Sequence, residues 1–228
     1  MSETIPLTAA DGFSFPAYVA RPVGRARGAV VVAQEIFGVN AHIRAVADGY
    51  AADGFLALAP DAFHRVQHGV QLDYSPQDIQ TGITLKAQVE KLPAPGVLAD
   101  LQAAVDHAAQ SGHKVGMVGY CWGGLKTWRS ACTLHRLAAA ASSSGGGMTM
   151  GVEPARKPTC PVLCHFGAQD HAISLESVEA FRAAQPDAEV QIYDAQHGFN
   201  CDQRASFDAP AAALARQRTL AFFTRHLA

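Results

Sequence analysis

Four residues of this 228-residue chain have types and spacing that could do chemistry together: Glu35, Cys121, Asp170 and His197. Cys121 sits within Val115-Gly116-Met117-Val118-Gly119-Tyr120-Cys121-Trp122-Gly123-Gly124-Leu125. A short apolar run of strand character ends at Gly119 and helix-compatible sequence resumes at Leu125, which leaves the thiol on the turn between them. Glycine two positions before and two after follows the G-x-S-x-G spacing of a nucleophile elbow, with cysteine in the serine position. Small flanking residues are needed there because the nucleophile occupies strained backbone while strand and helix pack closely. A cysteine on a glycine-rich turn can equally be a small buried residue, so its partners decide.

A thiol is a poor nucleophile until it is deprotonated, and an imidazole within hydrogen-bond reach can take its proton. Asp170 follows the apolar run Pro161–Phe166, and His197 follows the run Ala188–Tyr193. Asp170 would hold His197 in the useful tautomer and stabilise the imidazolium. The helix after Cys121 would favour thiolate through its dipole, and the backbone N–H groups of Ile36 and Trp122 are the candidate oxyanion donors. Nucleophile, acid and base in that chain order, each at a predicted strand end, predict a hydrolytic triad. Glu35 ends a fourth strand, Gly28–Ala33, and its apolar neighbours Ile36 and Phe37 predict partial burial.

The elements that must position these residues alternate. Two short strands are expected over residues 3–22, then strands over 28–33, 55–59, 114–119, 137–142, 161–166 and 188–193. Helices are expected over 41–52, 98–110, 122–134, 174–184 and 208–226. Continuous β-branched runs such as Val30-Val31-Val32 suit strands buried on both faces. The expectation is an α/β fold, with a mostly parallel central sheet and helices on both faces. Residues 62–96 are the least regular part and read as an insertion with a short helix near 77–91, a possible lid. Ser143-Ser144-Gly145-Gly146-Gly147 reads as a flexible loop. With no repeat, low-complexity tract or linker, residues 1–228 are expected to form one domain.

A hydrophobic content of 49%, a charged content of 17% and a net charge of −2 describe a globular chain with a large core. They give no electrostatic case for nucleic acid or an anionic membrane as partner. No apolar run approaches the ~18 residues of a membrane span. The first residues lack the basic region and apolar core of a signal peptide. Five cysteines, at 121, 132, 160, 164 and 201, form no disulfide framework, so a cytoplasmic location with reduced thiols is expected. His165 and His171 with Cys164 match no zinc spacing, and no metal is expected. A monomer or small homo-oligomer is expected.

The segments Gln34-Glu35-Ile36-Phe37-Gly38, Gly119-Tyr120-Cys121-Trp122-Gly123-Gly124, Gly167-Ala168-Gln169-Asp170 and His197-Gly198-Phe199 carry a resemblance. The sequence is similar to the dienelactone hydrolase (carboxymethylenebutenolidase) family of the α/β-hydrolase superfamily, over nearly its whole length. The resemblance implies an α/β-hydrolase fold and hydrolysis of a lactone or small carboxylic ester through an acyl thioester on Cys121, as in aromatic-compound degradation. No metal or organic cofactor is implied. The family's matching glutamate interacts with the resting thiol and helps to generate thiolate, which implies a gating or proton-accepting role for Glu35. Hydrolases acting on dienelactone anchor its carboxylate with arginines, one of them four residues after the catalytic histidine. Here that position is Cys201, and residues 66–128 contain no arginine, so Arg204 and Arg65 are the expected substitutes. Tyr120, Phe37, Phe199 and Cys201 are expected to contact substrate. The rival reading is a thiol-reactive redox or sensing protein without turnover, against which the lack of a Cys-x-x-Cys pair counts.

Overall fold

In a computed structural model, which describes residues 2–227, the apolar runs assemble into one eight-stranded sheet. Of the expected 1–228 unit, Met1 and Ala228 lie outside the described residues. The strands are β1 (Ser2–Thr8), β2 (Ser14–Ala20), β3 (Ala29–Ala33), β4 (Leu56–Pro60), β5 (Val115–Tyr120), β6 (Leu137–Ser143), β7 (Val162–Gly167) and β8 (Glu189–Tyr193). Their order is β1-β2-β4-β3-β5-β6-β7-β8. From β4 to β8 every pair is parallel, whereas β1 and β2 form an antiparallel hairpin that joins β4 antiparallel. Every residue of β3, β4 and β7 is buried, as continuous apolar runs require, while β1 is largely exposed at its edge.

The helices are α1 (Ala41–Ala52), α2 (Pro76–Val89), α3 (Val97–Ala109), α4 (Trp122–Thr133), α5 (Leu175–Ala184) and α6 (Ala209–Leu227). Neighbouring strand residues point to opposite faces, and two cores result. Val30 and Val32 pack with Ile43, Tyr50, Phe222 and Phe223 of α1 and α6. Val31 and Met117 pack with Val105, Trp128 and Phe181 of α3, α4 and α5. Side chains stop fraying at three helix starts: Asn40 accepts from the Ile43 N–H, Ser174 accepts from the Ser177 N–H, and Ser75 with Asp78 forms a capping box ahead of α2.

Two expectations change. The 143–147 stretch is packed rather than free: β6 extends to Ser143, and Ser143, Ser144 and Gly145 are buried. Gly124 of α4 explains this, because a Cβ there would lie 2.8 Å from the Gly145 Cα. Residues 62–96, expected as an insertion and possible lid, are anchored to the body of the fold. Their residues 70–74 are strapped to the loop after β3 by the Leu72 N–H to Phe37 carbonyl bond (2.9 Å) and a bridge between Gly38 and Gln71.

Candidate active site

Cys121 occupies the junction of β5 and α4 with φ 53° and ψ −119°, a conformation that side-chain-bearing residues rarely adopt. Two glycines make this junction possible by letting backbones approach. A Cβ on Gly119 would fall 2.1 Å from the Gly123 carbonyl oxygen, and one on Gly123 would fall 2.1 Å from the Ala33 carbonyl oxygen. The Cys121 N–H donates to the Ser143 carbonyl (2.9 Å), which ties the turn to the end of β6. The thiol is half-buried at the N-terminal end of α4. Among the described residues, the N–H groups of Ile36 and Trp122 have no protein acceptor.

Asp170, on the turn after β7, is buried. Its Oδ1 accepts from the N–H groups of Ala172 (2.8 Å) and Ile173 (3.1 Å), which leaves Oδ2 to face His197 Nδ1 at 2.7 Å. Burial alone would lower the His197 pKa. Hydrogen bonding to Asp170 and to Cys121, with the charge of both, reverses this and pushes it up to about 10. The loop after β8 that carries His197 is held by the Ser206 hydroxyl, which donates to the His197 carbonyl (2.7 Å).

Glu35 leaves β3 and is 1% exposed. The Tyr74 hydroxyl donates to its Oε2 (3.1 Å), and Arg204 Nη1 lies 3.6 Å from its Oε1. Tyr74 arrives on the strapped segment, with its hydroxyl also accepting from Asn40 Nδ2 (3.3 Å). Burial, then the Glu35 charge, push the Tyr74 phenol above its ordinary range. Glu35, His42, Tyr120, Cys121, Asn200 and Cys201 line one narrow crevice. This crevice shares His42, Tyr120, Ser143 and Asn200 with a cavity of about 370 Å³ between α1, α6 and the sheet, walled by Ala212, Ala215 and Val118 among others. Glu35, His42 and Cys201 also bring one ligand-type atom each within 4.8 Å of one another. No sequence spacing announced Tyr74, His42 or Asn200, since each meets the others only through the tertiary fold.

Several expected contacts are placed elsewhere. Arg65 is bound by Asp100 (Nη2 to Oδ1, 2.7 Å) and Asp11 (Nη1 to Oδ2, 2.8 Å) and lies over Phe13, so it is a brace between the β1–β2 turn and α3. Phe37 is buried against Tyr74, and Phe199 is fully buried against Tyr193, so both rings are packing rather than crevice lining. The Trp122 ring is buried too. Its Nε1 donates to Glu90 Oε1 (2.7 Å), away from the crevice lining. Arg204 reaches the region but is engaged with Glu35. His165 spends both ring nitrogens on Tyr193 and Thr219 (2.8 Å each), and burial pulls its pKa down to about 3. Burial pushes the thiols of Cys132, Cys160 and Cys164 up, to about 11, 12 and 12, which suits inert core cysteines.

Comparison with known proteins agrees with this fold. Residues 15–227 match the dienelactone hydrolase family. A protein of Escherichia coli (strain K12), named provisionally as a carboxymethylenebutenolidase, is 38% identical over 235 residues, covering 95% of this chain and 84% of its own. The carboxymethylenebutenolidase of Pseudomonas putida is 33% identical over 230 residues, covering 97% and 96%. A crystal structure from Klebsiella pneumoniae, provisionally described as a dienelactone hydrolase, superposes with a TM-score of 0.83 at 32% identity, covering 99% of this chain and 100% of that one.

Proposed function

Since the chain belongs to the dienelactone hydrolase family and is a carboxylic ester hydrolase, we propose that Cys121, His197 and Asp170 act as its triad on a lactone or small ester. The observation that supports this reading most directly is the 2.7 Å bond from His197 to Asp170 beside a thiol held at positive φ. The raised His197 pKa favours the imidazolium form beside the Cys121 thiol at neutral pH. The thiolate attacks the substrate carbonyl, whose oxygen develops negative charge toward the N–H groups of Ile36 and Trp122. Collapse expels the alkoxide, which takes the His197 proton, and leaves an acyl thioester. His197, now neutral, takes a proton from water as the hydroxide attacks. The second collapse releases the carboxylic acid and returns thiolate and imidazolium. Acylation removes the thiolate charge that raised the His197 pKa, so the imidazole becomes a base when water must be activated.

Glu35 is the gate in this proposal. Tyr74 and Arg204 hold it in the crevice that also holds Cys121, and substrate entering that crevice would shift Glu35 relative to the thiol. The α1–α6 cavity, with its alanine-rich wall, suits a small apolar acyl or alcohol part. Arg65 is committed to two aspartates, Arg216 at the cavity wall is paired with Asp53, and residue 201 is a thiol, so Arg204 is left to meet a carboxylate. Neutral lactones and esters are therefore the substrates favoured here.

The test is steady-state hydrolysis of dienelactone beside p-nitrophenyl acetate, by wild type and Cys121→Ala, with intact-protein mass spectrometry during turnover. Loss of turnover in the variant and an acyl adduct confined to wild type are expected. Equal activity in both proteins would remove Cys121 from the mechanism. Dienelactone turnover far above that of the neutral ester would overturn the substrate preference alone.

A further inference from the structure

We propose that Glu35, His42 and Cys201 form a binding site for one thiophilic divalent cation, zinc above all, beside the nucleophile. The three residues come from different elements: the loop after β3, the first turn of α1 and the loop after β8. They supply one carboxylate, one imidazole and one thiol, and all three are buried, at 1%, 5% and 2% exposure. Their ligand atoms lie within 4.8 Å of one another. Zinc bonds of roughly 2.0–2.3 Å in a tetrahedron place ligand atoms about 3.3–3.8 Å apart, so side-chain rotations of about an ångström would close the set. The donor types choose the metal. Thiolate with imidazole favours zinc over magnesium or calcium, which prefer oxygen.

The surroundings also fit. His42 Nδ1 lies 3.3 Å from Asp202 Oδ1, which leaves Nε2 for the cation and supplies the carboxylate partner that metal-bound imidazoles use. Buried carboxylates are expected to be paired or to hold a metal. Arg204 pairs with Glu35 Oε1 only at 3.6 Å, a loose ion pair, and its side chain is partly exposed. Arg204 opposes an incoming cation and must swing out, so its removal should tighten zinc. Tyr74 can keep its bond to Glu35 Oε2. Zinc held here would occupy Glu35 within the crevice that also holds Cys121, and so suppress turnover reversibly.

Binding is read without activity, by equilibrium dialysis with zinc chloride and by cobalt(II) spectra, so its outcome is separate from that of the hydrolase reading. Wild type and Cys121→Ser are expected to bind one zinc equally well and to show a thiolate-to-cobalt charge-transfer band. Cys201→Ser is expected to lose the band, with zinc weakened at least tenfold in it and in His42→Ala. Arg204→Gln is expected to bind more tightly. No binding at micromolar zinc, or binding lost in Cys121→Ser and unchanged in Cys201→Ser and His42→Ala, would overturn the site. If Cys201→Ser or His42→Ala fails to fold, the Cys121→Ser spectrum decides. The band in that variant supports the site and its absence refutes it.

Discussion

At Cys121 the backbone conformation belongs to the chemistry. A non-glycine residue at φ 53° costs on the order of 1–3 kcal/mol, which the interlocked glycines at 119 and 123 sustain. Its partner His197 depends on Asp170, and Asp170→Asn should leave the fold intact while lowering kcat/KM by about 10³–10⁴-fold. Steady-state kinetics check this, and a loss of less than tenfold would take Asp170 out of the triad. Arg65 gives the opposite expectation. Arg65→Ala leaves Asp100 buried at 1% exposure without its cation, which should cost about 3–5 kcal/mol in urea unfolding, with kcat/KM of the folded protein unchanged. A large fall in kcat/KM would return Arg65 to the substrate site. Glu35, Cys121, Asp170 and His197 were legible because strand ends and glycine spacing mark them. Phe37 and Phe199 misled because they adjoin those motifs, while their rings turn inward to the core.

Between residue and molecule, α2 and the strap before it explain what the irregular stretch is for. Gly82 of α2 lies against the loop carrying the Ile36 N–H, and a Cβ there would fall 2.3 Å from the Ile36 carbonyl oxygen. Gly82→Ala gains about 1 kcal/mol of helix propensity. It must also push α2 off that loop, because the clash is with backbone that cannot rotate away. The expected outcome is a melting temperature no higher than wild type and a kcat lowered about tenfold, with KM within a factor of two, read from thermal melts and initial rates. A more stable, fully active variant would mean that α2 does not buttress Ile36. Most elements were legible to within two residues, since apolar periods and the Asn40 cap mark them. The packing of 143–147 was not, because glycine and serine announce a loop and are silent about what it lies against.

Across the whole molecule, the parallel order β3-β5-β6-β7-β8 brings four sequence-distant residues to one edge of the sheet. That convergence was legible as strand ends, whereas the cavity between α1 and α6 was not, since it needs the angle of both helices to the sheet. Burying an imidazole there between a carboxylate and a thiol links the site to global stability. The His197 pKa is raised from 6.5 to about 10 in the folded protein. The stability this group contributes is therefore fully present below pH 6.5 and is lost as pH rises through about 10. Urea unfolding of wild type should show stability falling from pH 8.5 to 10, by more than in His197→Gln. The imidazole itself should titrate by NMR far above pH 6.5 in wild type and at lower pH in Cys121→Ala, where the thiolate's contribution is gone. A midpoint near 6.5 in wild type would mean that the resting pair is thiol and neutral imidazole. Attack would then begin with a proton transfer to His197 rather than from a thiolate already formed.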